Sequence, residues 1–300
     1  MLWLIIAILA YFLFAFVSLG DKYLLKGAPE PKTYTFYVGV FSSFALILIP
    51  FVGFSVPGFV EILFCFLAGI LLMIGVFATY EGLERFEASR IIPAMGGFVP
   101  VFTLAFTYLF SRGQAVLGIK EIIAFIFLVL GSILISYSSS QKLPFKSLKI
   151  SAVAALFFSL GFVLSKYVYL MLDFWTGFIW IRIGAIITGL LFLFTKSVRQ
   201  EVFTKKSVFN VKTGAFFIFN QAVGAGAFIL QNWAIALAPL AFLSIVNALQ
   251  GVQYLFLFII ILLVSLKSPK ILEEKISKKI ITQKGLAMLL IILGLVMLAL

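Results

Sequence analysis

LGIKEIIAFIFLVLGSILISY, residues 117–137, and IITQKGLAMLLIILGLVMLAL, residues 280–300, are two versions of one segment. Ala124 aligns with Ala287, Leu130 with Leu293 and Gly131 with Gly294, all at an offset of 163 residues. Each segment is the fifth in a run of five long apolar stretches. Five crossings per copy is an odd number, so the second copy enters the bilayer from the opposite side, and the copies are related by an axis in the membrane plane. The pattern predicts an all-α membrane protein of ten transmembrane helices, arranged as two inverted five-helix repeats over residues 1–140 and 141–300.

Composition leads to the same solvent. The 300 residues are 63% hydrophobic and only 11% charged, with a mean hydropathy of +1.21, far from the makeup of a water-soluble domain. Ten stretches reach the roughly 20 residues needed to cross the hydrocarbon core: 2–25, 33–53, 57–80, 90–111, 117–137, 149–170, 174–195, 211–236, 240–266 and 284–300. They consume most of the chain and leave no room for a soluble domain. Met1-Leu2-Trp3 carries no basic residue ahead of the apolar run, so the first segment is expected to be a retained helix. The single cysteine, Cys65, excludes an intrachain disulfide and reads as a packing residue.

The duplication extends to the opening helices. At an offset of 144, Ala10, Phe14, Lys22 and Tyr23 fall on Ala154, Phe158, Lys166 and Tyr167. Charge then orients the chain. Of its 23 Lys and Arg, nineteen lie in loops after odd-numbered segments, and only Arg112, Lys120 and Lys166 lie on the other side. The positive-inside rule puts the odd loops in the cytoplasm and both termini outside. The net charge of +12 is therefore a topogenic and lipid-facing signal and no nucleic-acid surface is expected. Residues 268–283 read as a short amphipathic helix: Leu272, Ile276 and Ile280 share one face, and Lys275, Lys278 and Lys279 leave on the other.

Polar side chains inside the spans carry the functional signal, because hydrocarbon offers them no partner. Segment nine holds Ser244, Asn247, Gln250 and Gln253 at steps of three, a stripe on one helical face. Segment eight holds Asn220, Gln221, Gln231 and Asn232 around the small run Gly224-Ala225-Gly226-Ala227, which permits close helix approach or local unwinding. Interhelical hydrogen bonding suffices for any single amide; the set is read as the lining of a translocation path. Arg182 sits near the middle of segment seven, where it needs carbonyls, water or an anion. Glu81, beside Tyr80 at the end of segment three, is the candidate for a protonatable coupling carboxylate, with a solvated helix end as the plainer reading. Pro93, Gly96, Gly97 and Pro100 are expected to let segment four bend.

Ten spans as five plus five, a first helix ending at Lys22, the fourth-segment run EASRIIPAMGGFVPVFTLAF (87–106), and a closing helix with Gln283-Lys284-Gly285-Leu286-Ala287 followed by Leu293-Gly294 resemble the EamA-type transporters of the drug/metabolite transporter superfamily. The resemblance implies a secondary active transporter in the cytoplasmic membrane that moves small metabolites or drug-like molecules by alternating access, often as an exporter. It further implies a cavity lined by segments one, three, four, six, eight and nine. The arginine of the second helix of a family repeat is matched by Arg182, while Val38 stands in the corresponding place of the first half. The acidic residue that commonly follows the family's fourth helix is absent from Ser111-Arg112-Gly113-Gln114, whereas Glu273 and Glu274 fit the second copy.

Catalysis is not expected. The chain has no histidine, no Asp-rich metal motif and no Gly-x-Ser-x-Gly elbow, and neither a metal nor a cofactor is called for. The competing reading is a flippase for a lipid-linked head group, which needs the same fold with a lateral opening. The expected partners are a small-molecule substrate and the lipid bilayer, with proton coupling and a homodimer as further readings. A reporter active only in the cytoplasm, fused to Leu300, is expected to stay silent; a strong signal would reverse the charge-based orientation.

Overall fold

In hydrocarbon a backbone must satisfy its own hydrogen bonds, and among the described residues the chain does so with helices alone. The computed structural model describes residues 1–24, 30–86, 88–136, 145–204, 211–267 and 278–300. Its helices are α1 (Leu2–Leu24), α2 (Pro31–Phe41), α3 (Phe59–Arg85), α4 (Ala88–Phe110), α5 (Ile119–Ser136), α6 (Phe145–Met171), α7 (Phe174–Leu191), α8 (Lys196–Thr204), α9 (Val211–Leu237), α10 (Leu243–Ala248), α11 (Gln250–Lys267) and α12 (Lys278–Ala299). Eight helical stretches among the described residues are long and apolar enough to cross a membrane: Leu2–Gly20, Pro31–Phe51, Phe59–Arg85, Arg90–Phe110, Phe145–Met171, Phe174–Phe194, Leu240–Ile260 and Thr282–Ala299. Helices α5 and α9 occupy the two other segments expected from the sequence. Large apolar side chains such as Ile5, Leu63, Ile126 and Leu293 stand exposed along them, which only a lipid solvent tolerates on this scale. The chain is an all-α, multi-pass membrane protein.

Local chemistry sets the element ends. Pro31 opens α2, where a missing N–H costs nothing. Asp173 caps α7 by accepting from the Thr176 N–H at 2.9 Å. At the end of α4, Arg112 (φ 52°) and Gly113 (φ 78°) turn left-handed, and the Gly113 N–H closes on the Tyr108 carbonyl at 2.9 Å. Segment two departs from expectation. It is α-helical only to Phe41 and continues as a 3-10 helix over Ser42–Phe51. Ser42 Oγ donates back to the Val38 carbonyl at 3.0 Å, and Pro50 has no N–H to give; both weaken an α ladder. Segment four stays one continuous helix through Pro93 and Pro100. Helix α8, in a polar connection, was not foreseen. Residues 268–277, most of the expected amphipathic helix, lie outside the described residues, as do the side chains of Lys22 and Tyr23.

Contacts divide the chain into two compact units, and each draws on both sequence halves. Unit 1 comprises residues 1–26, 115–141 and 209–300, and unit 2 comprises residues 27–114 and 142–208. In unit 1, α1 packs against α9 and α11, and α5 packs against α12. In unit 2, α6 packs against α3 and α4, and α2 and α3 pack against α7. The opening helix of each half therefore packs on the third and fourth segments of the other half.

Directions correspond as well. Gln231 meets Tyr11 while Asn220 meets Val17, so α1 and α9 are antiparallel; Gly75 meets Phe158 while Gly82 meets Ile150, so α3 and α6 are antiparallel too. Tyr11 bonds Val246 and Gln253 bonds Ser18, making α1 parallel to segment nine. Helices α4 and α6 are likewise parallel, with Ile91 and Met95 beside Ala154 and Ser159 Oγ on the Val99 carbonyl at 2.9 Å.

The closing helices of the two halves, α5 and α12, pack on each other. A Cβ at Gly131 would lie 2.6 Å from Ile291 Cγ1 and 3.1 Å from the Ala287 carbonyl. One at Gly294 would lie 2.9 Å from Leu128 Cγ and 3.0 Å from the Ala124 carbonyl. Exchanging 131 with 294, 128 with 291 and 124 with 287 turns one contact set into the other, the signature of a two-fold contact. The helices are antiparallel, so the local two-fold is perpendicular to them. Glycine is needed here because helix association in lipid relies on close packing. Gly131→Val and Gly294→Val are each expected to cost about 1–3 kcal/mol by overpacking, by similar amounts, in thermal unfolding in detergent. Gly226→Ala, which meets no atom within 4 Å, is the neutral control.

Candidate functional site in segment nine

The sequence Asn247-Ala248-Leu249-Gln250-Gly251 does not favour an unbroken helix. Glycine is about 1 kcal/mol worse than alanine in a helix interior, and an asparagine side chain competes for nearby backbone groups. Segment nine breaks there. It begins as a 3-10 turn over Leu240–Phe242, runs as α10 to Ala248, and restarts as α11 at Gln250. The Leu249 N–H still reaches the Ile245 carbonyl at 3.0 Å, but the Val252 N–H donates to Leu249, three residues back, at 2.9 Å. All six residues of α10 are buried, so the interrupted backbone is covered by protein, the condition under which a membrane helix is allowed to break.

Side chains take up the interrupted ladder. Tyr11 Oη donates to the Val246 carbonyl at 2.9 Å, and Gln231 Nε2 donates to Tyr11 Oη at 3.2 Å. From α5, Ser132 Oγ lies 2.7 Å from the Leu128 carbonyl and 3.3 Å from the Ala248 carbonyl. About two helical turns along α1 from Tyr11, roughly 10 Å, Gln253 Nε2 donates to Ser18 Oγ at 2.9 Å. Near that level Asn220 Nδ2 donates to the Val17 carbonyl at 3.3 Å. Three helices are thus joined by two polar layers. Ser244 Oγ and Tyr254 Oη are buried in the same segment and make no hydrogen bond among the described residues.

The sequence candidates separate into two groups. Asn220, Gln231, Asn232, Ser244 and Asn247 are buried, and Gln221, Gln250 and Gln253 are half-buried, all in unit 1. Of these, Asn232 turns its amide back to the Phe228 carbonyl of its own helix at 2.9 Å. Tyr80, Glu81 and Arg182 belong to unit 2. Tyr80 packs its ring on Tyr34, with centroids 4.0 Å apart. Glu81 pairs with Arg85, one turn on, at 2.6 Å, with side chains 25% and 60% exposed, an arrangement suited to a solvated helix end. Arg182 lies against the Phe178 ring, 5.6 Å from its centroid. The glycine run of α9 neither unwinds nor crosses tightly: Gly224 faces Val17 at ordinary contact distance and Gly226 faces open space. The tight approach is at Gly20, where an added Cβ would strike the Asn220 amide oxygen.

Tyr11, Ser18, Ser132 and Tyr254 were missed by the sequence reading. Tyr11 and Ser18 are seven residues apart and so share a helical face, a signal weaker than the amides because both residue types also occur as plain lipid-facing or packing groups. Among the described residues, no three His, Cys, Asp or Glu side chains gather as a metal site would require.

No family model matches the chain, and no curated protein matches it. Twenty-eight chains of solved structures resemble it. One of them, a crystal structure, is 13% identical and superposes with a TM-score of 0.72 over 99% of this chain and 98% of that chain. At that identity the likeness is one of fold.

The Gly20 contact yields a test of the α1–α9 layer. Gly20→Ala is expected to destabilise the protein by about 1–3 kcal/mol through the clash with Asn220. Asn220→Ala alone is expected to cost about 0.6 kcal/mol for the lost interhelical bond. The double variant should be more stable than Gly20→Ala alone in thermal unfolding; simple addition of the two losses would contradict the contact.

Proposed function

We propose that this protein is a secondary active transporter of the EamA type within the drug/metabolite transporter superfamily. It spans the cytoplasmic membrane ten times as two inverted five-helix repeats and exports small metabolites or drug-like molecules by alternating access. The observation that carries the reading is the broken segment nine, whose Gln253 bonds Ser18 of α1 and whose Val246 carbonyl accepts from Tyr11, itself bonded by Gln231 of α9. Discontinuous helices near the midplane, lined by polar side chains, are the usual substrate sites of transporters with inverted repeats.

Two further features support it. The reciprocal crossing of α5 and α12 has the symmetry that an inverted duplication would leave. The exchanged packing of the opening helices gives each unit elements of both halves, as a duplicated membrane fold requires when neither copy is self-sufficient. In this reading Asn247, Gln250 and Gln253, with Asn220 and Gln231, contact substrate, and neutral hydrogen-bonding groups select it.

The cargo is to be found by screening metabolites and drugs for thermal stabilisation of the purified protein. A ligand at 100 times its Kd stabilises by about 2.7 kcal/mol. With that cargo in proteoliposomes, Gln250→Leu combined with Gln253→Leu is expected to abolish transport while the protein remains monodisperse and folded. Unchanged transport would remove these residues from the site.

A further inference from the structure

The break in segment nine is held open by two hydroxyls from different helices. With the ladder resuming from the Leu249 carbonyl, the Val246 carbonyl accepts from Tyr11 Oη at 2.9 Å, and the Ala248 carbonyl takes the longer arm, 3.3 Å, of a three-centre bond from Ser132 Oγ whose shorter arm, 2.7 Å, goes to the Leu128 carbonyl of its own helix. Both hydroxyl side chains are buried, so water does not compete for these bonds. Gly251 completes the arrangement: a Cβ there would occupy the place of Ser132 Oγ. The absence of a side chain at 251 is thus what lets Ser132 reach the backbone.

We propose that Tyr11 and Ser132 are positioning residues that keep segment nine hinged at Leu249, and that this hinge sets the rate at which the transport cycle turns over. The hinge itself stands on the hydrogen bonds above; its kinetic role rests on the transporter reading. Tyr11 ties the hinge to α1 and, through Gln231, to α9, while Ser132 ties it to α5. Losing either hydroxyl leaves a buried carbonyl to find another donor, and the nearest are the backbone N–H groups of α11, which favours a straighter, continuous helix.

Hydrogen–deuterium exchange on the full chain in lipid nanodiscs tests the hinge without a cargo. Tyr11→Phe and Ser132→Ala keep the shape of the side chains, and each is expected to change exchange of the amides at 249–253 by tenfold or more while α3, α6 and α7 stay unchanged. Gly251→Ala should show the same local change, and Ser132→Ala added to Gly251→Ala should relieve the collision and restore thermal stability toward the parent. Unchanged exchange at 249–253, a uniform change over the whole chain, or additive losses in the double variant would overturn the hinge.

Once a cargo is identified, the two hydroxyl variants are expected to lower the maximal rate with the half-saturating concentration within twofold. A change confined to half-saturation would overturn the kinetic role and leave the hinge standing. Loss of transport in the Gln250 and Gln253 variants is a separate outcome that bears on the substrate site alone.

Discussion

A peptide carbonyl in hydrocarbon has no water to bond, and this constraint shapes every part of the structure. Elsewhere among the described residues the spans meet it with continuous helical ladders, as a 3-10 helix over Ser42–Phe51 in segment two, and α4 meets it even across two prolines. Segment nine is the costly exception, because breaking a ladder leaves several acceptors to be matched from outside. The match comes from Tyr11 and Ser132, and it succeeds only because α1, α5, α9 and segment nine pack in one unit. The polar side chains there serve the backbone first. Those with a buried hydroxyl left over, Ser244 and Tyr254, are the groups with bonding capacity to spare.

Interleaving of the halves follows from the same apolar economy. Lipid is as apolar as leucine, so helices gain little by merely hiding surface from it, and close packing must supply the association energy. Glycines lie where backbones approach: Gly39 against Gly189, Gly69 against the Ile181 carbonyl, Gly131 against Ile291. These are contacts between helices of different halves. An isolated half would lack the partner surface for its opening helix, so the compact unit is defined by long-range contacts rather than by sequence continuity.

The fourth segments of the two halves differ in chemistry. Helix α4 carries a ladder of Phe98, Phe102, Phe106 and Phe110, whose neighbouring rings lie 5.7, 6.5 and 6.1 Å apart. Segment nine, its counterpart, carries Ser244, Asn247, Gln250 and Gln253. Yet one bond is retained in kind: Ser159 reaches the Val99 carbonyl of α4 as Tyr11 reaches Val246. The packing of the opening helices corresponds between the units while these side chains do not. That difference puts hydrogen-bonding capacity in unit 1 and aromatic surface in unit 2.

Read alone, the sequence determined the solvent, the helical class, the approximate helical segments and the placing of the amides in segments eight and nine. These are properties of composition and local periodicity, which do not depend on distant partners. It also marked Gly131 and Gly294 as equivalent, although not as partners. Only the tertiary structure decided that the helices carrying the two glycines meet, that each compact unit mixes both halves, and that segment nine breaks while segment four does not. Pro93 and Pro100 leave α4 continuous, whereas the break at Leu249 is announced by no proline. Its freed carbonyls are met by hydroxyls 235 and 116 residues away in sequence, and no local rule can supply a donor that folding brings from elsewhere.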